Sequence, residues 1–248
     1  STRHIASLSS EALTGLSPAM LKTFSPAELA AIGSNAIRGL STDFIATLSS
    51  TDVAALSTAG VAGLTSDQIG AFGKEQIRAL TTGQIAALSS AALAGLTAEG
   101  LATFTTEELA AINSSAIRGL STGVIASLSS QGVGALTTSQ VASLSYGQVA
   151  AMGSAQIGAL TLTQVGALKS LQTAAFGGDD LAALSTEQII SLSSNAISGL
   201  STSALAALTA SQAAAFTPGQ IAAMSSAQVV ALNSDDPVSS SAQTIASS

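Results

Sequence analysis

Apolar residues recur along this chain at two fixed spacings. One series, Leu8, Leu16, Phe24, Ile32, Leu40, Leu48, Leu56 and Leu64, advances by eight and runs on through Leu168, Phe176 and Leu184 to Leu232. A second lies three residues earlier: Leu13, Leu21, Leu29, Ile37, Ile45, Val53, Val61 and Ile69. It continues to Ile221 and Val229, with Thr173 and Ala213 as weak members. Thirty-one octads, in phase from Ser1, fill the 248 residues. With the first series numbered position eight, the second falls at position five. Spacings of three and five do not alternate with the period of two that a half-buried strand needs, so the pattern predicts helices.

The polar positions sharpen that prediction. Position one is nearly always Ser, Thr, Gly or Asn, as in Ser9, Ser17, Ser25, Gly33 and Ser41, with Lys169 the exception. These residues favour helix N-caps, where a short side-chain oxygen accepts from an orphan N–H. Position two is then the first helical residue, and it holds Pro18, Pro26 and Pro218, which cost nothing there because that N–H has no intrahelical acceptor. Position four holds Gln68, Gln76, Gln84, Gln140, Gln148, Gln156, Gln164, Gln188, Gln220 and Gln228, together with Glu28 and Glu108. Ser or Thr followed three residues later by Gln or Glu is a capping box, and the apolar residues flanking it at eight and five form a hydrophobic staple. Position seven is almost always small, which allows another backbone to approach.

Each octad therefore reads as one helix of about six residues, too short to stand alone and obliged to bury its apolar positions five and eight against neighbours. The expected fold is all-α: a solenoid of very short capped helices, continuous over residues 1–232. A loosened octad or linker, marked by Pro237 at a core position, and a terminal partial repeat follow over 233–248. A parallel β-solenoid is the alternative, but it leaves the Pro at position two and the Gln at position four without a reason. Similar decapeptides end at Leu40, Leu80, Leu120, Leu160 and Leu200, spaced by forty. They suggest that about five helices make one turn. The pattern also loosens near 169–180, at Gly177-Gly178-Asp179-Asp180.

Composition then excludes several functions. Charged residues are 8% of the chain, against about 25% in ordinary domains. The net charge is −7 with seven Lys and Arg, so no basic footprint for nucleic acid exists. A polar residue interrupts every octad, which argues against a transmembrane helix. Cysteine is absent, so no thiolate metal site can form.

Candidate chemistry is sparse. His4 is the sole histidine, and no Ser-His-Asp set can be assembled around it. Paired carboxylates stand at Glu107–Glu108, Asp179–Asp180 and Asp235–Asp236, but adjacent residues point apart on a helix. Asp43, Asp67, Glu75, Glu99 and Glu187 at position three, and Lys22, Arg38, Arg78 and Arg118 at position six, suit the helix dipole as solvated charges. Ser and Thr hydroxyls are expected at caps rather than on an ice-binding face. The reading is of no enzyme, no catalytic, cofactor-binding or metal-binding residues and no cofactor.

Stretches such as 80–90, LTTGQIAALSS, and 184–194, LSTEQIISLSS, resemble the octapeptide (LTxxQIAAL-type) arrays of large repetitive bacterial exoproteins and adhesins. The resemblance covers the whole chain. It implies a secreted or cell-surface protein with a spacer, fibre or adhesive role, and it transfers no active-site residue. A chain that starts at Ser1, without an initiator Met, reads as a processed form or a fragment. Its expected partners are copies of itself stacked end to end, or flanking repeats of a longer chain. A protein- or glycan-binding solenoid is the competing function, although with Tyr146 and six Phe the aromatic anchors of such surfaces are scarce.

Overall fold

A computed structural model describes residues 1–233, and among these the regular structure is helical throughout, with no strand. Every α-helix begins at octad position two, from Thr2–Ala6 through Thr82–Ala87 to Ser226–Leu232. The frame read from the caps is therefore the frame of the fold, and the β-solenoid alternative is set aside. Position-one hydroxyls accept as expected: Phe44 N–H donates to Ser41 Oγ at 3.2 Å and Gly60 N–H to Ser57 Oγ at 3.0 Å. Each helix is closed at its other end by position eight. The N–H of Leu88 donates to the Ile85 carbonyl at 3.2 Å, and Leu88 itself is extended (φ −59°, ψ 131°). No described residue has a positive φ, so no helix ends on a left-handed glycine, and Leu48, Leu136 and Leu192 are extended like Leu88.

Two octads depart from the rule. Ile37–Gly39 and Ile117–Gly119 are 3₁₀ turns. Both octads have Ala at position four (Ala36 and Ala116) and no hydroxyl at position one. Gly33 has no side chain to cap with, and Asn113 Oδ1 is taken by Ser115 N–H at 2.9 Å and Ser115 Oγ at 2.7 Å. Such a local bond competes with the helical cap. The stretch around 169–180, expected to loosen, keeps its helices in phase as Ser170–Thr173 and Gly178–Ala182.

The described residues form two compact units, 1–128 and 129–233. Each has its own core of position-five and position-eight side chains. In the first, Ile37, Ile45, Val53, Val61, Ile85 and Ile125 are fully buried; in the second, Val133, Val165, Leu181, Ile189 and Ile197 are. The glutamines at position four are buried as well, which the sequence pattern had not marked. The segment read as a loosened octad and partial repeat lies, beyond Asn233, outside the described residues.

The expectation of five helices per turn is overturned. In the first unit the closely packed pairs are three octads apart: Thr58–Ala62 on Thr82–Ala87, and Thr82–Ala87 on Thr106–Ala111. In the second unit Leu162–Gly166 packs on Thr186–Ser191, and Thr202–Leu205 on Ser226–Leu232. Hydrogen bonds between turns link residues 25, 28 and 31 apart. A turn thus takes between three and four octads, close to 28 residues. The physical reason is volume. Interiors pack to crystal-like density, and each helix sends in only its side chains at four, five and eight. That supply fills a narrow coil, whereas five helices would enclose a lumen no residue occupies. The forty-residue spacing is a sequence period and not a structural one.

Candidate functional site

The feature that joins successive turns is a ladder of buried glutamines at position four. Gln84 shows the geometry. Its Oε1 accepts the N–H of its own cap residue, Thr81, at 2.8 Å. Its Nε2 donates to the carbonyls of Val53 and Leu56, both at 2.8 Å, in the preceding turn. Gln68 does the same to Ile37 and Leu40, and Gln76 to Ile45 and Leu48. In the second unit Gln164 reaches Val133 and Leu136, Gln220 reaches Ile189 and Leu192, and Gln228 reaches Ile197 and Leu200. One amide therefore ties the N-terminus of its own helix to the C-terminal carbonyls of the helix beneath. Helix ends carry just such orphan N–H and C=O groups, and the ladder satisfies one set from each end. Both Nε2 protons are used, and no buried side-chain nitrogen or oxygen among the described residues lacks a hydrogen-bond partner.

Sequence reasoning found the capping half of this arrangement and missed the half that crosses turns. The signal was the choice of Gln over Glu. A capping box accepts either residue, and the helix dipole favours the carboxylate, so a run of amides required a second acceptor set. Two further members had been overlooked. Gln172 bonds Val141 and Leu144, and Gln212 bonds Ala182 and Leu184. Gln172 also explains how Lys169 is tolerated at a cap position: the Lys169 N–H donates to Gln172 Oε1 at 3.0 Å, and no capping hydroxyl is needed. Thr173, a weak core member by sequence, is fully buried and donates to the Ala196 carbonyl at 2.6 Å.

The small residues at position seven supply the second contact between turns. Ideal Cβ atoms placed on Gly39, Gly63, Gly95 and Gly119 would overlap the carbonyls of Ser10, Ser34, Ser66 and Ser90. In the second unit Gly199 stands against Ser170 in the same way. At Gly178 the roles are reversed: a Cβ there would come within 2.8 Å of the Ala207 Cβ, so this pair too keeps one residue without a side chain.

The polar residues singled out by sequence are dispersed. His4 is exposed, with Nδ1 2.9 Å from Ser1 Oγ. Glu108 accepts the Thr105 N–H at 2.8 Å as a capping-box carboxylate, Asp180 does so for Gly177 at 3.0 Å, and Glu107 accepts from the Thr106 hydroxyl. No three metal-ligating groups come together among the described residues. Asp235–Asp236 lie outside them. Arg38 is more than a solvated charge, since its Nε donates to the Gly63 carbonyl at 3.2 Å across a turn. Arg38, Arg78 and Arg118 form no stripe, because a forty-residue spacing does not return to the same side of a coil whose turns link residues 25 to 31 apart.

Three carboxyls near helix N-termini are held below their ordinary range: Glu28 first by the Ser25 N–H, and Glu107 and Glu187 first by their own backbone N–H groups and then by neighbouring hydroxyls. A lowered folded-state pKa contributes stability above the unfolded value and loses it as pH falls through the folded one. Their helix N-termini are therefore expected to fray in acid, with each carboxyl titrating below the ordinary glutamate value. Carbon-detected carboxyl titration checks this; midpoints at or above that value contradict it.

The comparisons bear on the repeat itself. Residues 45–82, 109–146 and 173–210 each match the ALTTAQ repeat family. This is a repeat protein. The matched segments make up less than half of the chain and start eight octads apart, so the octad is the unit that this spacing shares with the forty-residue period. No curated protein matches the chain.

Proposed function

We propose that this chain is a non-enzymatic structural repeat module, a spacer segment in a secreted or cell-surface bacterial fibre, sheath or adhesin stalk. One observation carries the reading. In both units the buried polar side chains are spent on joining one turn to the next, through Gln68, Gln76 and Gln84 in the first and Gln164, Gln220 and Gln228 in the second. A chain built this way is stabilised by nearest-neighbour contacts and grows by adding units. Among the described residues no helix is long and apolar enough to cross a membrane. The partners this reading implies are further repeats, in a longer chain or in another copy.

Two measurements test it. Chains lengthened or shortened by seven octads, two turns at a time, should keep their helicity per residue, and their maximum dimension by X-ray scattering should change in equal steps. Loss of folding, or an unchanged dimension, contradicts a modular spacer. Antibodies against the chain should label intact source cells, and labelling only after lysis contradicts the surface role.

A further inference from the structure

The ties between turns are unevenly placed in the first unit. Gln68, Gln76 and Gln84 each set two hydrogen bonds on the turn beneath, and Ser50 Oγ adds one to the Glu75 carbonyl at 3.3 Å. The next five octads have Ala92, Gly100, Glu108, Ala116 and Val124 at position four. None of these side chains carries an N–H, and Glu108 turns its carboxylate back to Thr105. The side-chain bonds of residues 89–104 are local: Ala92 N–H to Ser89 Oγ, Gly100 N–H to Thr97 Oγ1, and the Thr103 hydroxyl to the Gly100 carbonyl. Among the described residues no hydrogen bond runs from 57–88 to 89–104. Ser90–Leu93 is held on Ser66–Gly70 by packing alone, with Gly95 seated against the Ser66 carbonyl.

We infer that this junction is a preset opening seam, where octads 89–104 part from octads 57–72 before any glutamine-tied junction loosens. Apolar packing has no fixed direction, so a turn held by it alone lifts without first breaking a hydrogen bond. A tied turn must break two bonds per glutamine and leave a buried carbonyl unpartnered, which is costly. The helices above the seam, Ser90–Leu93 and Ala98–Leu101, have four residues each, and helices so short do not stand without their neighbours. Residues 65–88, below it, keep their glutamine ties when the seam opens. The second unit shows what is missing. Where it has Ala196 at position four, hydroxyls cross between turns: Thr173 Oγ1 donates to the Ala196 carbonyl at 2.6 Å and Ser193 Oγ to the Leu168 carbonyl at 3.4 Å. In a spacer the seam is where a load is first relieved, a use that rests on the role proposed above.

Amide hydrogen exchange of the whole natural chain tests this. Leu93 and Leu101, above the seam, and Ile69 and Ile85, below it, are all buried, and the N–H of each donates to the carbonyl of its own cap residue. Local geometry alone therefore predicts equal protection, whereas the seam predicts protection at least about tenfold lower at Leu93 and Leu101. An introduced thiol reads the same opening from a side chain, since the chain has no cysteine. Ala92→Cys and Ala196→Cys replace two position-four alanines that are both fully buried. With circular dichroism unchanged, a maleimide should label Ala92→Cys at least about tenfold faster than Ala196→Cys. Protection at Leu93 and Leu101 that equals or exceeds that at Ile69 and Ile85 overturns the proposal, and so does equal labelling of the two variants. If either variant misfolds, exchange in the natural chain decides alone. Neither result touches growth by octads, which tests the spacer reading, and failure of that reading would leave the exchange pattern standing.

Discussion

Replacing Gly95 with alanine is expected to lower the stability of the first unit by about 3 kcal/mol, shown as an earlier urea midpoint. The new Cβ has nowhere to go, since the atom it would overlap is the Ser66 backbone carbonyl of the preceding turn. A flexible side chain could swing aside, but a carbonyl fixed in a capped helix moves only if the turn moves with it. Gly39, Gly63 and Gly119 face Ser10, Ser34 and Ser90 in the same way, so Gly63→Ala should behave alike. Gly123→Ala is the control within the same unit. Gly123 is exposed at octad position three, the second residue of the helix Thr122–Ala126, and its nearest neighbour to an added Cβ is Ser121 Oγ at 4.0 Å. Alanine there restricts the unfolded chain and suits the helix, so it should be neutral or stabilising by about 0.5–1 kcal/mol. Equal effects at Gly95 and Gly123 would show that position seven is small for reasons other than close approach.

The second large effect is expected at Gln84. Glutamate differs from glutamine by one atom and keeps the capping bond to Thr81, yet it removes both donors facing Val53 and Leu56. At neutral pH it sets a buried carboxylate against two carbonyl oxygens. Uncompensated buried charges cost about 3–5 kcal/mol, and Gln84→Glu should lose that much at pH 7. Burial and the facing carbonyls raise the folded-state pKa of the new carboxyl above its unfolded value. Stability linked to a raised pKa is present below the unfolded value and disappears as pH rises through the folded one. The variant should therefore recover towards the natural chain as pH falls from 7 towards 4. Gln84→Leu, which takes the amide's bonds from the Thr81 N–H and the Leu56 carbonyl and leaves the Val53 carbonyl with the Leu56 N–H alone, should cost about 2–3 kcal/mol with no such recovery. The fold already places carboxylates at position four where they remain partly exposed, as at Asp52, Glu108 and Asp180. The same chemistry is tolerated at the margin and not in the core.

These two contacts mark how far the sequence could be read. Ser41, Ser57 and Thr81 announce helix starts because capping acts within four residues, and the local chain decides it. Leu88 and Ile85 announce the core because their spacing is the helix period. The number of helices per turn was not legible. It depends on how many side chains from positions four, five and eight fill the interior, a sum over several turns. The similar decapeptides ending at Leu40, Leu80 and Leu120 offered a forty-residue period in its place. Gln84 displayed its capping role locally, whereas its carbonyl partners lie 28 and 31 residues away. The glycines at position seven were read correctly as small for close approach, but not which backbone approached.

The turn of about 28 residues, stitched by glutamine, is the central claim, and nuclear Overhauser effects from the side-chain amide protons of Gln84 test it most directly. They should reach Val53 and Leu56, and those amide protons should exchange slowly with solvent. Contacts to residues around Phe44, forty earlier, or amide protons that exchange freely, would contradict it.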